Sequence, residues 1–499
     1  MELRTTLPVA LASGVAAVAG SYAVAGFTPA FVAAPVADLV VAATPDAVLA
    51  WSIEALGDLG QRLGFALALA LAVCLFGLAA ELGGRLAAAG GAPTPPAAAL
   101  GSFALAVGLT GAVVPGLAAG AATGVVAAAV AADFRGDTER SAVRRRVLRA
   151  VAASAAVSGV GAVLGGGRDP EGGASGGPAE GDDEVPPAVA DLLDEAASRS
   201  LDVAGLEGLV SDGFYQVDIN SVDPTVEADE WSLRVTGAVG EQREFDYADL
   251  TDRDAERRFV TLRCVGDSLN GKKMDTALWT GVPVTDLMGD LPEECCVMVR
   301  AADDYFQEFP LAALEDALLA YEMNGRPLPR GHGYPVRLLV PGHWGEINVK
   351  WVTGIEVLDE ERKGYWEKRG WHGTGPVETV AKLHAVNRLD SGRVQVGGHA
   401  YAGTRGIKNV EVSTDGGESW DEATLSDPPP RATDRRDASN DRSWSGRDVW
   451  RQWEYTYEPG GPHEVVVRAT DGEGTVQPRE ESEAFPSGPT GWVSRRVEA

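Results

Sequence analysis

The chain has 499 residues, four cysteines and six histidines, so thiol and imidazole chemistry is confined to few positions. The most telling is Cys264, in the stretch FVTLRCVGDSLNG over residues 259–271. A β-favouring run, Phe259 to Leu262, delivers it into a loop of Gly, Asp, Ser and Asn. Cys74 lies in an apolar run, and Cys295 and Cys296 are neighbours. No spacing fits a disulfide framework or a zinc site. The neighbouring pair reads as two buried small residues in a strand, because a vicinal disulfide would be strained. His332 after Gly331 reads alone as a loop residue, and Lys350 as a solvated charge. There is no CxxCH, and no GxGxxG after a strand, so neither haem nor flavin is expected.

The elements that must hold these residues differ sharply along the chain. Residues 1–168 carry 10 Lys+Arg and 9 Asp+Glu, and the remainder carries 33 and 63, so nearly all of the net charge of −29 follows residue 168. Only seven of the 43 basic residues are Lys. An acidic, Lys-poor surface repels nucleic acid, which excludes it as a partner. The same surface suits a protein kept soluble in concentrated salt, and a halophilic source is the expectation.

Residues 1–168 read as a transmembrane domain of about five helices. Apolar runs near 7–27, 62–82, 96–113, 115–132 and 147–166 approach the roughly 20 residues that cross a bilayer core. They are rich in Ala, Gly and Val, which lets helices pack closely in lipid. The segment 29–60 carries Asp38, Asp46, Glu54 and Asp58 and reads as a non-cytoplasmic hairpin or interfacial segment, with a sixth span near 29–44 as the alternative. Arg4, Arg85 and the cluster Arg135, Arg140, Arg144, Arg145, Arg146 and Arg149 fall on one side if there are five spans. By the positive-inside rule the N-terminus is then inside and everything after about residue 168 is extracytoplasmic. SAVRRRVLRAVAASAAVSGVGAVLGGG (141–167) also resembles a twin-arginine export signal, against the plainer reading of positive-inside charge. All six histidines lie at 332 or beyond, and Met1 is the only methionine before residue 168, so the spans cannot ligate haem through His or an internal Met.

After the spans, residues 169–204 read as a flexible acidic, Gly-rich linker followed by a short helix near 187–198. WSLRVTGAV (231–239) alternates as a strand, FPLAALEDALLAYEMNG (309–325) starts helix-like and turns at Asn324-Gly325, and YPVRLLVPG (334–342) is a buried strand stopped by Pro and Gly. The pattern is α+β to residue 375. From 376 to 499 alternating strands with Asp-Gly turns suggest an immunoglobulin-like β-sandwich. Within it, residues 427–447 form a long polar insert.

With TLRCVGDSLNG, WTGVPVTDLM (279–288), AYEMNGRPLPRGHGYPVRLLVPGHWGEINVKW (320–351) and the β tail in this order, residues 205–490 resemble the sulfite oxidase family of molybdenum enzymes. The resemblance implies a molybdopterin-binding catalytic domain over 205–375 and a dimerisation domain over 376–499. It makes Cys264 the protein's one molybdenum ligand, a soft thiolate beside the dithiolene of the pterin. HGYPVR points to His332 and Arg337 at the pterin. EINVK points to Asn348, Val349 and Lys350 at its phosphate end. DGFYQVD (212–218) resembles the entry motif of the periplasmic methionine sulfoxide reductases in this family, with Asp212, Phe214 and Tyr215 near the cofactor.

The departures from the family bear on the substrate. Sulfite oxidases proper carry a basic pair shortly after the metal cysteine, where this chain has Ser268-Leu269. They carry a tyrosine where Trp371 stands. AYAGTRGIKNVEVS (400–413) matches the loop whose arginine reaches the active site, which makes Arg405 the anion-binding candidate. The expected activity is oxygen-atom transfer by a membrane-anchored, extracytoplasmic enzyme, as sulfite oxidation or as reduction of an S- or N-oxide such as methionine sulfoxide. A surface adhesion protein with a vestigial cofactor site is the alternative from another class. Electrons would pass to a separate carrier, a membrane cytochrome, a quinone-linked protein or a small copper protein, and the β domain implies a homodimer.

Overall fold

The computed structural model describes residues 3–45, 48–49, 51–52, 56, 58–132, 139–166, 185–289, 295–432 and 447–498. Most of the linker read over 169–186, most of the insert 427–447, Asp46, Glu54 and Arg135 lie outside those residues, as do the side chains of Arg140, Arg144 and Arg145. The chain divides into an N-terminal unit (Met1–Ser175 with Asp218–Thr225) and a larger one (Gly176–Val217 with Val226–Ala499).

The N-terminal unit is helical: α1 (Leu3–Ala25), α2 (Ala34–Ala43), α3 (Asp58–Ala89), α4 (Thr94–Thr110), α5 (Val113–Ala131) and α6 (Glu139–Gly166). Four stretches among the described residues, Thr6–Ala25, Leu59–Ala89, Val113–Ala131 and Arg146–Leu164, are long and apolar enough to cross a membrane. These overlap four of the five expected runs. The run near 96–113 is cut to 17 residues by Gly111, which adopts φ 68° and ends α4. The stretch near 29–44 carries α2, which has 10 residues and rises only about 15 Å. Small residues set the packing. A Cβ on Gly14 would strike the Val73 carbonyl of α3, and one on Gly77 the Ala10 carbonyl of α1, so the two backbones touch. Leu63, Leu67, Leu71, Leu75, Leu78, Leu82 and Leu86 of α3 stay exposed along one side.

The larger unit begins with a helix, Pro187–Ser198, whose Val189 and Ala196 are buried in a cluster with Phe259, Leu278 and Val449. The segment behind it is laced down as well: the Leu201 amide donates to Gln452 at 2.7 Å, and the Trp450 indole donates to the Leu209 carbonyl at 2.9 Å.

One mixed sheet orders its strands Arg243–Asp246, Ser232–Gly237, Val352–Leu358, Cys296–Ala301 and Phe306–Pro310, with Ser232–Gly237 parallel to Val352–Leu358. A second sheet runs Glu256–Arg263, Met274–Pro283, Leu318–Met323 and Arg326–Pro327, with Arg337–Leu339 also on Leu318–Met323. The run after Phe309 departs from the helical expectation. It makes one short 3-10 turn, Leu311–Asp316, and then the strand Leu318–Met323, whose first four residues are buried as an inner strand requires. Cys295 and Cys296 are joined by a vicinal disulfide rather than being two thiols. Cys295 sits just before the strand, so the alternation that would point the two sulfurs to opposite faces does not hold there.

The C-terminal region is two antiparallel sheets. One orders Val380–Ala381, Val394–Tyr401, Arg451–Tyr457 and Thr424–Leu425, and the other Asp421–Glu422, Ile407–Ser413, His463–Asp471 and Val493–Val497.

Candidate active site

Strand Glu256–Arg263 ends one residue before Cys264, whose amide donates to the Lys273 carbonyl at 3.0 Å and closes the loop between the two strands. Inside it, Asp267 accepts from the Lys273 amide at 3.0 Å. Asp267 is also ion-paired at 2.7 Å with Lys382 of the C-terminal region, and both are buried. Lys382 donates to the Gly271 carbonyl at 2.7 Å, and Asn270 bonds the Leu383 backbone in both directions. The loop that carries the thiol is therefore fixed by a segment more than 100 positions away, between the strands Val380–Ala381 and Ala385–Arg388. Burial pushes the Cys264 thiol up to about 11, while Lys273 and the Gly266 amide pull the other way.

On one side of Cys264 lies an aromatic and basic cradle. Phe214 and Tyr215 stack at 5.5 Å, and Phe214 meets His332 edge-on at 5.6 Å. Tyr215 is anchored by its amide to Asp275 at 2.7 Å, and its hydroxyl would lie 2.8 Å from a Cβ at Gly345. Burial and then the Cys264 charge raise that hydroxyl well above the usual tyrosine range, while Arg337 lowers it, so Tyr215 stands between the thiol and the basic patch. Arg337 is buried over the Trp279 ring at 5.1 Å and donates to the His332 and Asn348 carbonyls at 3.3 and 3.1 Å. Lys350 donates to the Gly331 carbonyl at 2.8 Å. Burial, then Lys350 and Arg337, hold His332 down to about 3, so it is neutral between two cations. A group bearing a phosphate and many hydrogen-bonding edges fits such a donor set.

Not every candidate points there. Asn348 and Val349 are buried, and the Asn348 side chain braces its own loop, accepting from the Val340 amide at 2.7 Å and donating to the Trp344 carbonyl at 3.0 Å. Asp212 is exposed. Arg405 is paired with Asp471 at 3.0 Å and donates to the Val377 carbonyl and Thr379.

The other side of Cys264 is aromatic and acidic. Trp371 is buried and meets Phe485 at 5.2 Å and Trp366 at 6.4 Å, both edge-on. A Cβ on Gly266 would lie 3.6 Å from the Trp371 ring and 3.9 Å from the Cys264 sulfur. Glu346, Glu367, Tyr305 and Gln307 complete this wall, and none was marked from sequence. The one available signal was a carboxylate inside the otherwise buried run GHWGEINVK.

Two family models match the chain. "Oxidoreductase molybdopterin binding domain" covers residues 220–366, and "Mo-co oxidoreductase dimerisation domain" covers 376–485. The chain is 29% identical over 309 residues to the mitochondrial sulfite oxidase of Homo sapiens, covering 51% of this chain and 54% of that protein. It is 30% identical over 312 residues to the sulfite oxidase of Gallus gallus, covering 51% and 65%. It is 26% identical over 324 residues to the NADH nitrate reductase of Spinacia oleracea, covering 51% and 34%. The chain thus spans about half the length of the human relative. Among solved structures, the sulfane dehydrogenase SoxCD of Paracoccus pantotrophus aligns with TM-score 0.48 and 20% identity, over 59% of this chain and 82% of that one.

Proposed function

We propose that this chain, which belongs to the sulfite oxidase family of molybdoenzymes, transfers one oxygen atom to or from a small sulfur or nitrogen oxo compound. It does so with Mo-molybdopterin, on the outer side of a membrane that five N-terminal helices, the 17-residue α4 among them, would cross. The observation that carries the reading is a strand-end thiol, Cys264, set beside the cradle of Phe214, Tyr215, His332, Arg337 and Lys350. Bound there, the cofactor supplies the two-electron redox change that oxygen transfer needs.

The chain's own residues do the rest. Cys264 offers a soft sulfur, and the metal's charge would hold as thiolate what burial otherwise keeps protonated. Arg337 and Lys350 offset the phosphate charge. Neutral His332 offers one donor and one acceptor to the pterin edge. Tyr215 keeps its proton and remains a donor. Trp371 covers the sulfur and excludes water.

The membrane reading rests on the four long apolar stretches, the exposed leucines of α3 and the backbone-close glycines. An outer location agrees with the vicinal disulfide, since disulfides persist in oxidising compartments. The acidic surface after residue 168 supports a halophilic source. The two antiparallel sheets and the dimerisation-domain match support an immunoglobulin-like sandwich and a homodimer. A separate one-electron carrier would complete the redox cycle. The test is metal and pterin analysis of the full chain purified at high salt, followed by turnover assays with sulfite and with methionine sulfoxide. Native protein without molybdenum would refute the reading.

A further inference from the structure

We propose that Asp448 is held as a neutral carboxylic acid whose proton fastens the strand ending at Cys264 to the C-terminal region, which makes Asp448 a positioning residue for the thiol. This holds whichever oxo compound the site turns over, and it needs no bound cofactor. Asp448 and Tyr401 are buried, at 1% and 0% exposure. The Tyr401 hydroxyl oxygen lies 2.6 Å from Asp448 Oδ1 and 2.9 Å from the Thr261 carbonyl oxygen. Thr261 is on the strand Glu256–Arg263, three residues before Cys264. Its amide donates to the Asp448 carbonyl at 2.9 Å, and its side-chain oxygen accepts from the Trp450 amide at 2.8 Å. Asp448 to Trp450 thus run along the strand that delivers the thiol.

The protonation state follows from the hydrogens available. A tyrosine hydroxyl gives one, and a backbone carbonyl and an ionised carboxylate only accept. If Asp448 were ionised, Tyr401 would serve either the carboxylate or Thr261, and the other would stay buried without that donor. With Asp448 protonated, Oδ1 donates to the Tyr401 oxygen and Tyr401 donates to Thr261, so each contact has its hydrogen. Asp448 Oδ2 has no hydrogen-bond partner among the described residues, which a neutral carbonyl oxygen tolerates far better than half of a buried negative charge.

The neighbouring cations are engaged elsewhere. Arg405 pairs with Asp471 and donates to the Val377 carbonyl and Thr379. Arg263 donates to the Glu378 and Pro489 carbonyls, and Arg447 is exposed. Burial lifts the Asp448 carboxyl to about 7, although the Tyr401 and Gly342 hydrogen bonds and the Arg405 charge all lower it. Burial, then Asp448, holds the Tyr401 hydroxyl well above the usual tyrosine range, with Tyr215 adding to the rise and Arg405 opposing it. Ionisation of Asp448 draws the Tyr401 hydrogen to the carboxylate and releases the Thr261 carbonyl. The strand then loses a tie just before the thiol, while Lys382 and Asp267 still clamp the loop beyond it.

The test compares the full chain at high salt with Asp448→Asn, whose neutral amide also donates to Tyr401. The wild-type-minus-variant infrared spectrum should show the carbonyl stretch of a protonated carboxyl group that shifts in heavy water. Glu308 and Glu346 cancel from that difference, because both proteins carry them. The band should titrate away with a midpoint of about 7. Folded Asp448 keeps its proton to about 7, whereas the unfolded chain gives it up above about 4. The folded state binds more protons in that window, so wild type should lose about tenfold in its folding equilibrium per pH unit relative to Asp448→Asn, levelling off above about 7. Amides of residues 259–264 should lose protection from hydrogen exchange across that midpoint in wild type, beyond any change in the variant. No difference band, or parallel stability curves for the two proteins through that window, overturns the proposal. A band accompanied by the same exchange in both proteins leaves the proton in place and overturns its positioning role. If Asp448→Asn does not fold, Tyr401→Phe removes a bond that favours the ionised form, and the midpoint of the band should rise; an unmoved midpoint overturns the link to Tyr401.

Discussion

The two walls that meet at Cys264 are built on opposite principles. In the wall of His332, Arg337 and Lys350, burial and then the two cations keep the histidine neutral. The wall of Glu346, Glu367 and Trp371 gathers carboxyl groups and keeps a proton on Glu346. One wall carries cations that match a phosphate-bearing group, and the other carries carboxyl groups and an indole. Burial is the larger cause on both sides and favours the neutral form of each group, and the neighbouring charge, positive at one wall and negative at the other, pushes the same way.

That contrast can be broken in order of effect. Cys264→Ser should abolish turnover while pterin stays bound to the basic wall, measured as pterin and molybdenum per chain; persisting turnover would refute the ligand assignment. Lys382→Met leaves Asp267 buried without its charge partner and should cost about 3–5 kcal/mol, seen as a lowered thermal midpoint of the larger unit. Adding Asp267→Leu to that variant should recover much of the loss, and no recovery would mean that the ion pair is not what holds the loop.

Lys350→Met should lower pterin affinity by roughly 10- to 100-fold, as expected for one charged hydrogen bond of about 1.5–3 kcal/mol, whereas Glu346→Gln should leave it unchanged. Equal pterin loss in both variants would erase the distinction between the walls. The smallest effect is on pH dependence. His332 is neutral down to about 3 in the folded chain, while the unfolded chain protonates it below about 6.5. The unfolded state therefore binds more protons as pH falls from 6 to 4, and this histidine alone costs roughly 1 kcal/mol of stability per pH unit in that window. In cofactor-free protein, His332→Asn should flatten the measured slope by that amount.

How much of the site was legible follows from distance along the chain. Cys264 at a strand end, and His332, Arg337 and Lys350 within nineteen positions of one another, belong to short segments whose order carries a recognisable pattern. Arg405 stood in the matching loop, but only the fold shows that Asp471 pairs with it. The length of α4 is not legible in its apolar run, which does not itself say that Gly111 turns the chain. The run after Phe309 starts helix-like in sequence because Ala and Leu favour helices, yet only a 3-10 turn forms there before Leu318–Met323 pairs with Met274–Pro283.

Residue type and local order already carry the molybdopterin-domain pattern, a cysteine at a strand end, and the split between an apolar near-neutral front and an acidic remainder. The tertiary structure alone decided the acidic wall and the clamp on the Cys264 loop. Gln307 reaches Glu367 across 60 positions and Lys382 reaches Asp267 across 115. No local pattern records such meetings, because each partner alone looks like a solvated polar group, and only packing removes the water that would have kept it one.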